Sequence, residues 1–265
     1  MDHYPDFPSK FVAPRQVDVW LPPGYESGNG RFPVLIMHDG QNLFDPATAY
    51  GGIPWAVDKA ALKLAAADAI QPPIIVGVWN TEKRWEEYLP EKPFDGDFTA
   101  VFQEFPEKIG GKALSDDYLR FLVTELKPFI DKTYRTRPER ESTCIMGSSM
   151  GGLISLYALC EYPDVFGGAG CVSTHWPAAD GVILDYLRGF LPRPGRHRLY
   201  FDYGTETLDA LYEPHQQQVD AFMAEAGYTQ GQDWVTRRFD GAEHSEKSWQ
   251  ARVHVPLAFL LAVQP

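Results

Sequence analysis

Residues 144–152 read CIMGSSMGG, an apolar run that stops in a glycine, two serines, a methionine and two further glycines. Gly147-Ser148-Ser149-Met150-Gly151 fits G-x-S-x-G. Between a strand and a helix, this pattern makes a sharp turn that exposes the central serine hydroxyl at the top of a sheet. By this reading the nucleophile is Ser149, not Ser148. The backbone N–H of Met150, at the start of the following helix, would face the oxyanion of an acyl-transfer intermediate. A serine hydroxyl is a poor nucleophile without a base, and in this arrangement the partners follow in the order serine, acid, histidine.

Downstream of Ser149 lie His175, His197, His215, His244 and His254. His244 alone sits in a loop, DGAEHSEKSW, between a final strand and a final helix, from which it can reach back over the sheet. His215 and His254 fall inside helical patterns and His197 precedes a strand. His175, in STHW, is placed to line a pocket. The acid should follow the strand RLYFDYGT, where DYGTETLD offers Asp202, Glu206 and Asp209. Asp202 lies within the strand, and Glu206 and Asp209 flank the expected place. Asp209 is preferred and Glu206 is the alternative. A second oxyanion donor normally comes from the loop after an early strand. In FPVLIMHDGQNLFD that donor is the N–H of Gln41, with Gly40 supplying backbone freedom. His38 and Asp39 resemble metal ligands in type, but no second cluster at ligand spacing accompanies them, so no metal is expected.

The elements that must position these residues alternate along the chain. Residues 17–22, 32–39, 72–80, 142–147, 167–174, 198–205 and 234–240 read as strands. Residues 55–69, 114–134, 149–162, 181–190, 211–226 and 245–262 read as helices. Ser115 is the expected N-cap of the 114–134 helix, and Pro128 and Pro256 should bend theirs. Residues 81–112, rich in Pro, Gly and aromatics, have no clear period and read as a long functional loop or partial cap. Strands alternating with helices argue one α/β domain over residues 1–265, a mostly parallel sheet covered on both faces, with ligands beyond the carboxyl ends of the strands.

Composition narrows the function. A 44% hydrophobic and 23% charged chain without a run of about 20 apolar residues is not an integral membrane protein. The formal net charge of −12 repels nucleic acid and anionic membrane, so neither is an expected partner. Cys144, Cys160 and Cys171 lie in apolar stretches without a C-x-x-C pair and read as reduced core residues. The start, MDHYPDFPSKFVAP, lacks the basic and apolar regions of a signal peptide, which points to the cytoplasm unless a leader has been removed.

The blocks LIMHDGQNLFD, VWNTEKRWEEYLP, IMGSSMGG, YFDYGTE and GAEHSEKSW together resemble the putative-esterase branch of the α/β-hydrolases, in the family's order and from about Arg15 to Leu261. That branch includes feruloyl and acetylxylan esterases, enterochelin-type esterases, S-formylglutathione hydrolases and mycolyltransferases. The resemblance implies an α/β-hydrolase fold, Ser149 as nucleophile, His244 as base, oxyanion donors at Met150 and Gln41, and no cofactor. Several relatives place the acid three or four residues after the glycine of the turn, where this chain has Thr207 and Leu208. A slightly longer loop brings Asp209 into the role.

The expected activity is hydrolysis of a small-molecule or carbohydrate-linked ester, acetyl or feruloyl. Trp79, Trp85, Tyr88, Trp176, Tyr203 and Trp249 fall in or beside loops at the sheet top, where aromatic faces can stack on sugar or feruloyl rings. Trp176, His175 and Trp249 are the candidates for the substrate pocket. The alternatives are an acyltransferase, a thioesterase of the S-formylglutathione type, and a non-catalytic binding protein built on the hydrolase fold.

Overall fold

A computed structural model describes residues 1–95, 97, 112–179 and 182–263. In chain order the first half comprises β1 (Asp2–Phe7), β2 (Arg15–Trp20), β3 (Val34–His38), α1 (Val57–Ala66), β4 (Ile74–Val78), α2 (Arg84–Tyr88), α3 (Ser115–Phe121) and α4 (Lys127–Thr133). The second half comprises β5 (Thr143–Ser148), α5 (Met150–Glu161), β6 (Gly168–Val172), α6 (Val182–Phe190), β7 (Arg198–Gly204), α7 (Glu213–Glu225), β8 (Trp234–Phe239), α8 (Glu246–Arg252) and α9 (His254–Leu260).

The runs VLIMH, IIVGV and TCIMGS of β3, β4 and β5 are buried at every position. Apolar side chains on both faces are what a strand covered on both sides requires. Successive residues point to opposite faces. Val34 and Ile36 join a core with Leu119, Leu122, Leu153 and Ile154 from α3, α5 and the turn between α3 and α4. Leu35 and Met37 join another with Val57 and Ala61 of α1 and Leu257 and Leu260 of α9. The result is a three-layer α/β-hydrolase architecture with an eight-stranded sheet in the order β1-β2-β4-β3-β5-β6-β7-β8. Strands β4, β3, β5, β6, β7 and β8 are mutually parallel, whereas β1 and β2 are antiparallel to their neighbours. From β3 the chain winds outward to β4, then returns to place β5 on the other flank. The carboxyl ends of β3 and β5 therefore meet at the point where ligands bind in such sheets.

Several sequence expectations are corrected. The N-cap of α3 is Leu114, and Ser115, the first helical residue, makes no capping bond. Ahead of Pro128 the helix widens into a π turn at Leu122–Leu126. The proline has no N–H for the Thr124 carbonyl and shifts the local register rather than bending the end. The closing helix is two helices that break at Val253. Within 81–112, Arg84–Tyr88 is helical and Lys92–Phe94 forms a 3-10 turn; the rest of the expected loop or cap falls partly outside the described residues. Cys144, Cys160 and Cys171 are buried free thiols, and burial raises the pKa of each. Among the described residues no helix is long and apolar enough to cross a membrane.

Candidate active site

Ser149 follows β5 directly and has φ 58° and ψ −123°. A non-glycine residue in that region costs on the order of 1–3 kcal/mol and persists only where its surroundings fix it. Here the Ser149 N–H donates to Val172 O at 2.9 Å, and its carbonyl accepts from the N–H of Gly152 at 3.0 Å and of His175 at 3.1 Å. Two glycines make the turn sterically feasible. A Cβ on Gly147 would stand 2.9 Å from the Gly151 backbone, and one on Gly152 would stand 2.8 Å from Thr174 Oγ1. At Gly151 the same atom would meet nothing nearer than His38 Cβ at 3.4 Å. The close approach of strand and helix thus falls on Gly147 and Gly152.

Met150 opens α5, and Gln41 is the middle residue of the 3-10 turn Gly40–Asn42 after β3. First-turn N–H groups have no partner within their own helix. The contact of Gly151 with His38 and Asp39 sets these two turns side by side.

The end of β7 and the end of β8 form one clasp. Thr205 N–H and Glu206 N–H both donate to Ala242 O at 3.0 Å. The Gly241 N–H donates to Thr205 Oγ1, and the His244 N–H to Thr207 Oγ1, each at 2.8 Å. Thr207, at φ 54°, turns the chain into a 3-10 turn over Thr207–Leu211 that carries Asp209 inward. Asp209 is fully buried, and its Oδ1 lies 2.6 Å from His244 Nδ1. Glu206 is exposed.

The other Asp209 oxygen, Oδ2, accepts from the Gly204 N–H and the Ser173 hydroxyl, both at 2.6 Å. Burial pushes the Asp209 carboxyl up, but the hydrogen bonds with His244, Ser173 and Gly204 outweigh it, so the carboxyl titrates below the usual range. Ser173 is itself held, accepting from Trp249 Nε1 at 3.0 Å and from Arg252 Nη2 at 2.6 Å. The Arg252 guanidinium is buried, 3.1 Å from Asp202 Oδ1 and 3.5 Å from Asp209 Oδ2. It supplies the positive charge that two buried carboxylates need.

Tyr212, fully buried, lies beside His175 and Ser149. Its hydroxyl lies 2.8 Å from His175 Nδ1 and near the Ser149 side chain. Its ring meets His244 edge-on at 5.7 Å, and the Trp249 ring does the same at 4.9 Å. The imidazole is therefore walled by aromatic edges as well as tied at Nδ1.

Beside the Gln41 turn, Asp39 sits at φ 55° and is held by Arg84 through two bonds of 2.7 Å and by Asn80 Nδ2 at 2.6 Å. Burial raises its carboxyl, and the Arg84 charge and these bonds more than reverse the effect. His38 is buried with Nδ1 2.8 Å from Tyr118 Oη, and burial drives its pKa down to about 3, so it is neutral at ordinary pH. These two residues brace the turn rather than sit as open metal ligands.

Ser149, His244, Asp209, Met150 and Gln41 thus all lie on turns at the carboxyl ends of β5, β8, β7 and β3. His175 and Trp249, at most 6% exposed, lie against the site, whereas Trp176, expected there too, is buried at 2% with its ring on Phe201. Trp85, half-buried and edge-on to His175 at 5.8 Å, is the aromatic residue nearer the surface. Sequence reasoning missed Ser173, Tyr212, Arg252 and the Asp39–Arg84 pair. Two signals were available: Ser173 immediately follows β6, and Trp249 and Arg252 share a helix face at i, i+3.

A family model described as "Putative esterase" matches residues 9–260. The chain is 26% identical to uncharacterized protein YbbA of Bacillus subtilis (strain 168) over 244 residues, 88% of this chain and 87% of that protein. A ferulic acid esterase structure superposes with a TM-score of 0.69 at 20% identity, covering 98% of this chain and 96% of that one. An IroE-like serine hydrolase from Shewanella oneidensis superposes with a TM-score of 0.73 at 19% identity, covering 95% of this chain and 78% of that one. At these identities the two structures share the fold.

Proposed function

The chain belongs to the "Putative esterase" family and is a carboxylic ester hydrolase; from that premise we propose that it works through an acyl-enzyme on Ser149. With Nδ1 of His244 engaged by Asp209 at 2.6 Å, Nε2 is the ring nitrogen left to take the Ser149 proton. Ser149 Oγ then attacks the ester carbonyl, and the N–H groups of Met150 and Gln41 stabilise the negative oxygen. The protonated imidazole returns its proton to the departing alcohol. Water, deprotonated by the same nitrogen, releases the acid and regenerates the serine.

The observation that carries this reading is the Asp209–His244 pair, a fully buried carboxylate on a half-buried imidazole, delivered by two clasped loops to the same end of the sheet as a positive-φ serine. Asp209 takes the acid's role because it is fully buried and bonded to the imidazole, whereas Glu206 is exposed.

The substrate we propose is a carbohydrate-linked acyl ester, acetyl or feruloyl. Support comes from the fold shared with a ferulic acid esterase and from half-buried Trp85 beside the His175 wall, where a planar acyl or sugar ring can stack. The test is labelling with a fluorophosphonate probe and turnover of short-chain p-nitrophenyl esters, followed by acetylated and feruloylated oligosaccharides. Label should fall on Ser149, and Ser149→Ala should lower kcat by about 10⁴ to 10⁶. Wild-type turnover by that variant would overturn the nucleophile. Turnover of p-nitrophenyl esters without any saccharide ester would overturn the substrate class alone.

A further inference from the structure

The amino ends of the strands carry a cavity of about 800 Å3, between the start of β5, the residues leading into β7 and β8, and the end of α9. In a chain with a formal net charge of −12, four arginines line it: Arg137, Arg140, Arg196 and Arg198. The two lining carboxylates offset only part of this charge. Asp233 is committed to backbone, accepting from the N–H of Gly195 at 3.1 Å and of Thr229 at 2.8 Å. Glu141 pairs with Arg140 but leaves 63% of its side chain exposed. Among the described residues, Arg137 and Arg196 form no ion pair.

Inside the same cavity, His197 is 5% exposed. Its Nε2 lies 2.8 Å from the Pro163 carbonyl oxygen, so Nε2 carries the proton. The buried Nδ1 has no partner, and neither has the buried Nε of Arg140. Buried polar atoms without partners are uncommon and call for an explanation. A grouping of guanidinium forks is suited to a tetrahedral oxyanion, which can accept several bonds at once. Leu260, Leu261 and Pro33 add apolar wall, and the volume is that of a small-molecule site.

We propose that this cavity binds a phosphate monoester of a small organic molecule, with the phosphoryl group held by Arg140 and Arg196 and by His197, whose Nδ1 takes up a proton as the dianion binds and then donates to it. The proposal stands apart from the ester chemistry, since all the residues placed there lie at the other end of the strands.

The test is calorimetric titration and thermal unfolding of the full chain with inorganic phosphate, sulfate, glucose 6-phosphate and adenosine monophosphate, each against sodium chloride at matched ionic strength. The two organic phosphates should raise Tm by several degrees and bind more tightly than inorganic phosphate, which lacks a body for the apolar wall. Arg196→Glu, at an exposed position, should weaken binding at least tenfold and leave p-nitrophenyl ester turnover unchanged. Arg140→Gln should weaken it too. The His197 ring offers a local readout. Burial lowers its pKa and the Arg140 and Arg196 charges lower it further, against rises from the Pro163 hydrogen bond and, to a lesser degree, from Asp164; a bound dianion should move its NMR titration upward. Chloride matching the organic phosphates, phosphate binding by Arg196→Glu at wild-type strength, or a His197 titration indifferent to ligand would each overturn the site.

Discussion

Replacing Asp209 by asparagine isolates what its charge and acceptor pattern do, because shape is preserved. The amide has one acceptor oxygen, and the structure dictates where it points. Oδ2 accepts two donors at 2.6 Å, the Gly204 N–H and the Ser173 hydroxyl. Turning an NH2 group toward them would oppose donor with donor, at about 1–3 kcal/mol for each buried group left unsatisfied. The carbonyl therefore stays in the Oδ2 position and the NH2 faces His244 Nδ1. Nδ1 must then accept, the ring proton moves to Nε2, and the nitrogen that should take the Ser149 proton already holds one. The same tautomer trap in a Ser-His-Asp site costs about 10⁴ in kcat, or about 5.5 kcal/mol in activation free energy. The assay is kcat for p-nitrophenyl acetate, with circular dichroism to confirm folding and Glu206→Gln as the control. Asp209→Asn retaining more than a tenth of wild-type kcat would refute the assignment of the acid. So would a tenfold or larger loss in Glu206→Gln.

A methyl group on Gly204 would lie 2.1 Å from Ala242 O and 3.0 Å from Asp209 Oδ2. Gly204→Ala should therefore push the two loops apart, lowering Tm by several degrees and kcat by at least about 10²; unchanged turnover would show that the clasp is dispensable. Tyr212→Phe deletes the hydroxyl bonded to His175 beside Ser149, at an expected stability cost of about 1–2 kcal/mol. Its fluorophosphonate labelling rate should change while KM stays within about twofold, as measured by stopped-flow and urea unfolding. His38 gives the pH prediction. Its folded-state pKa is about 3 against an ordinary 6.5, so the unfolded chain binds the extra proton between those values. The stability contribution is complete above about pH 6.5 and falls by about 1.4 kcal/mol per unit on acidification toward pH 3. Urea unfolding at pH 4.5 and 6.5 should show a larger difference for the wild type than for His38→Gln; equal differences would sink the attribution.

Much of this architecture is readable from residue types alone. Apolar runs of five or six residues with β-branched content give β3 to β5, because a strand buried on both faces has no polar alternation to obscure it. The elbow and His244 are readable because their context, strand before and helix after, is local. The choice between Asp209 and Glu206 is not local. It depends on Thr207 adopting φ 54° and on Ala242, over thirty residues away, taking the Glu206 N–H. Strand β1 escapes notice because DHYPDF is mostly exposed and interrupted by Pro5, and it pairs only at the sheet edge. Ser173, Tyr212 and Arg252 come from three separate segments, and nothing in any one of them announces the others.

The clasp at the ends of β7 and β8 makes Asp209 and His244 a single mechanical part. Each loop satisfies the other's backbone and side-chain groups, so neither can lengthen, shorten or open without carrying its partner along. Ser149 rides on a different part, the β5–α5 elbow, braced from the β3 side by the Asp39–Arg84 pair. The machine consequently has one joint that matters, between elbow and clasp. Tyr212 spans it, leaving the clasp at one end and touching Ser149 at the other.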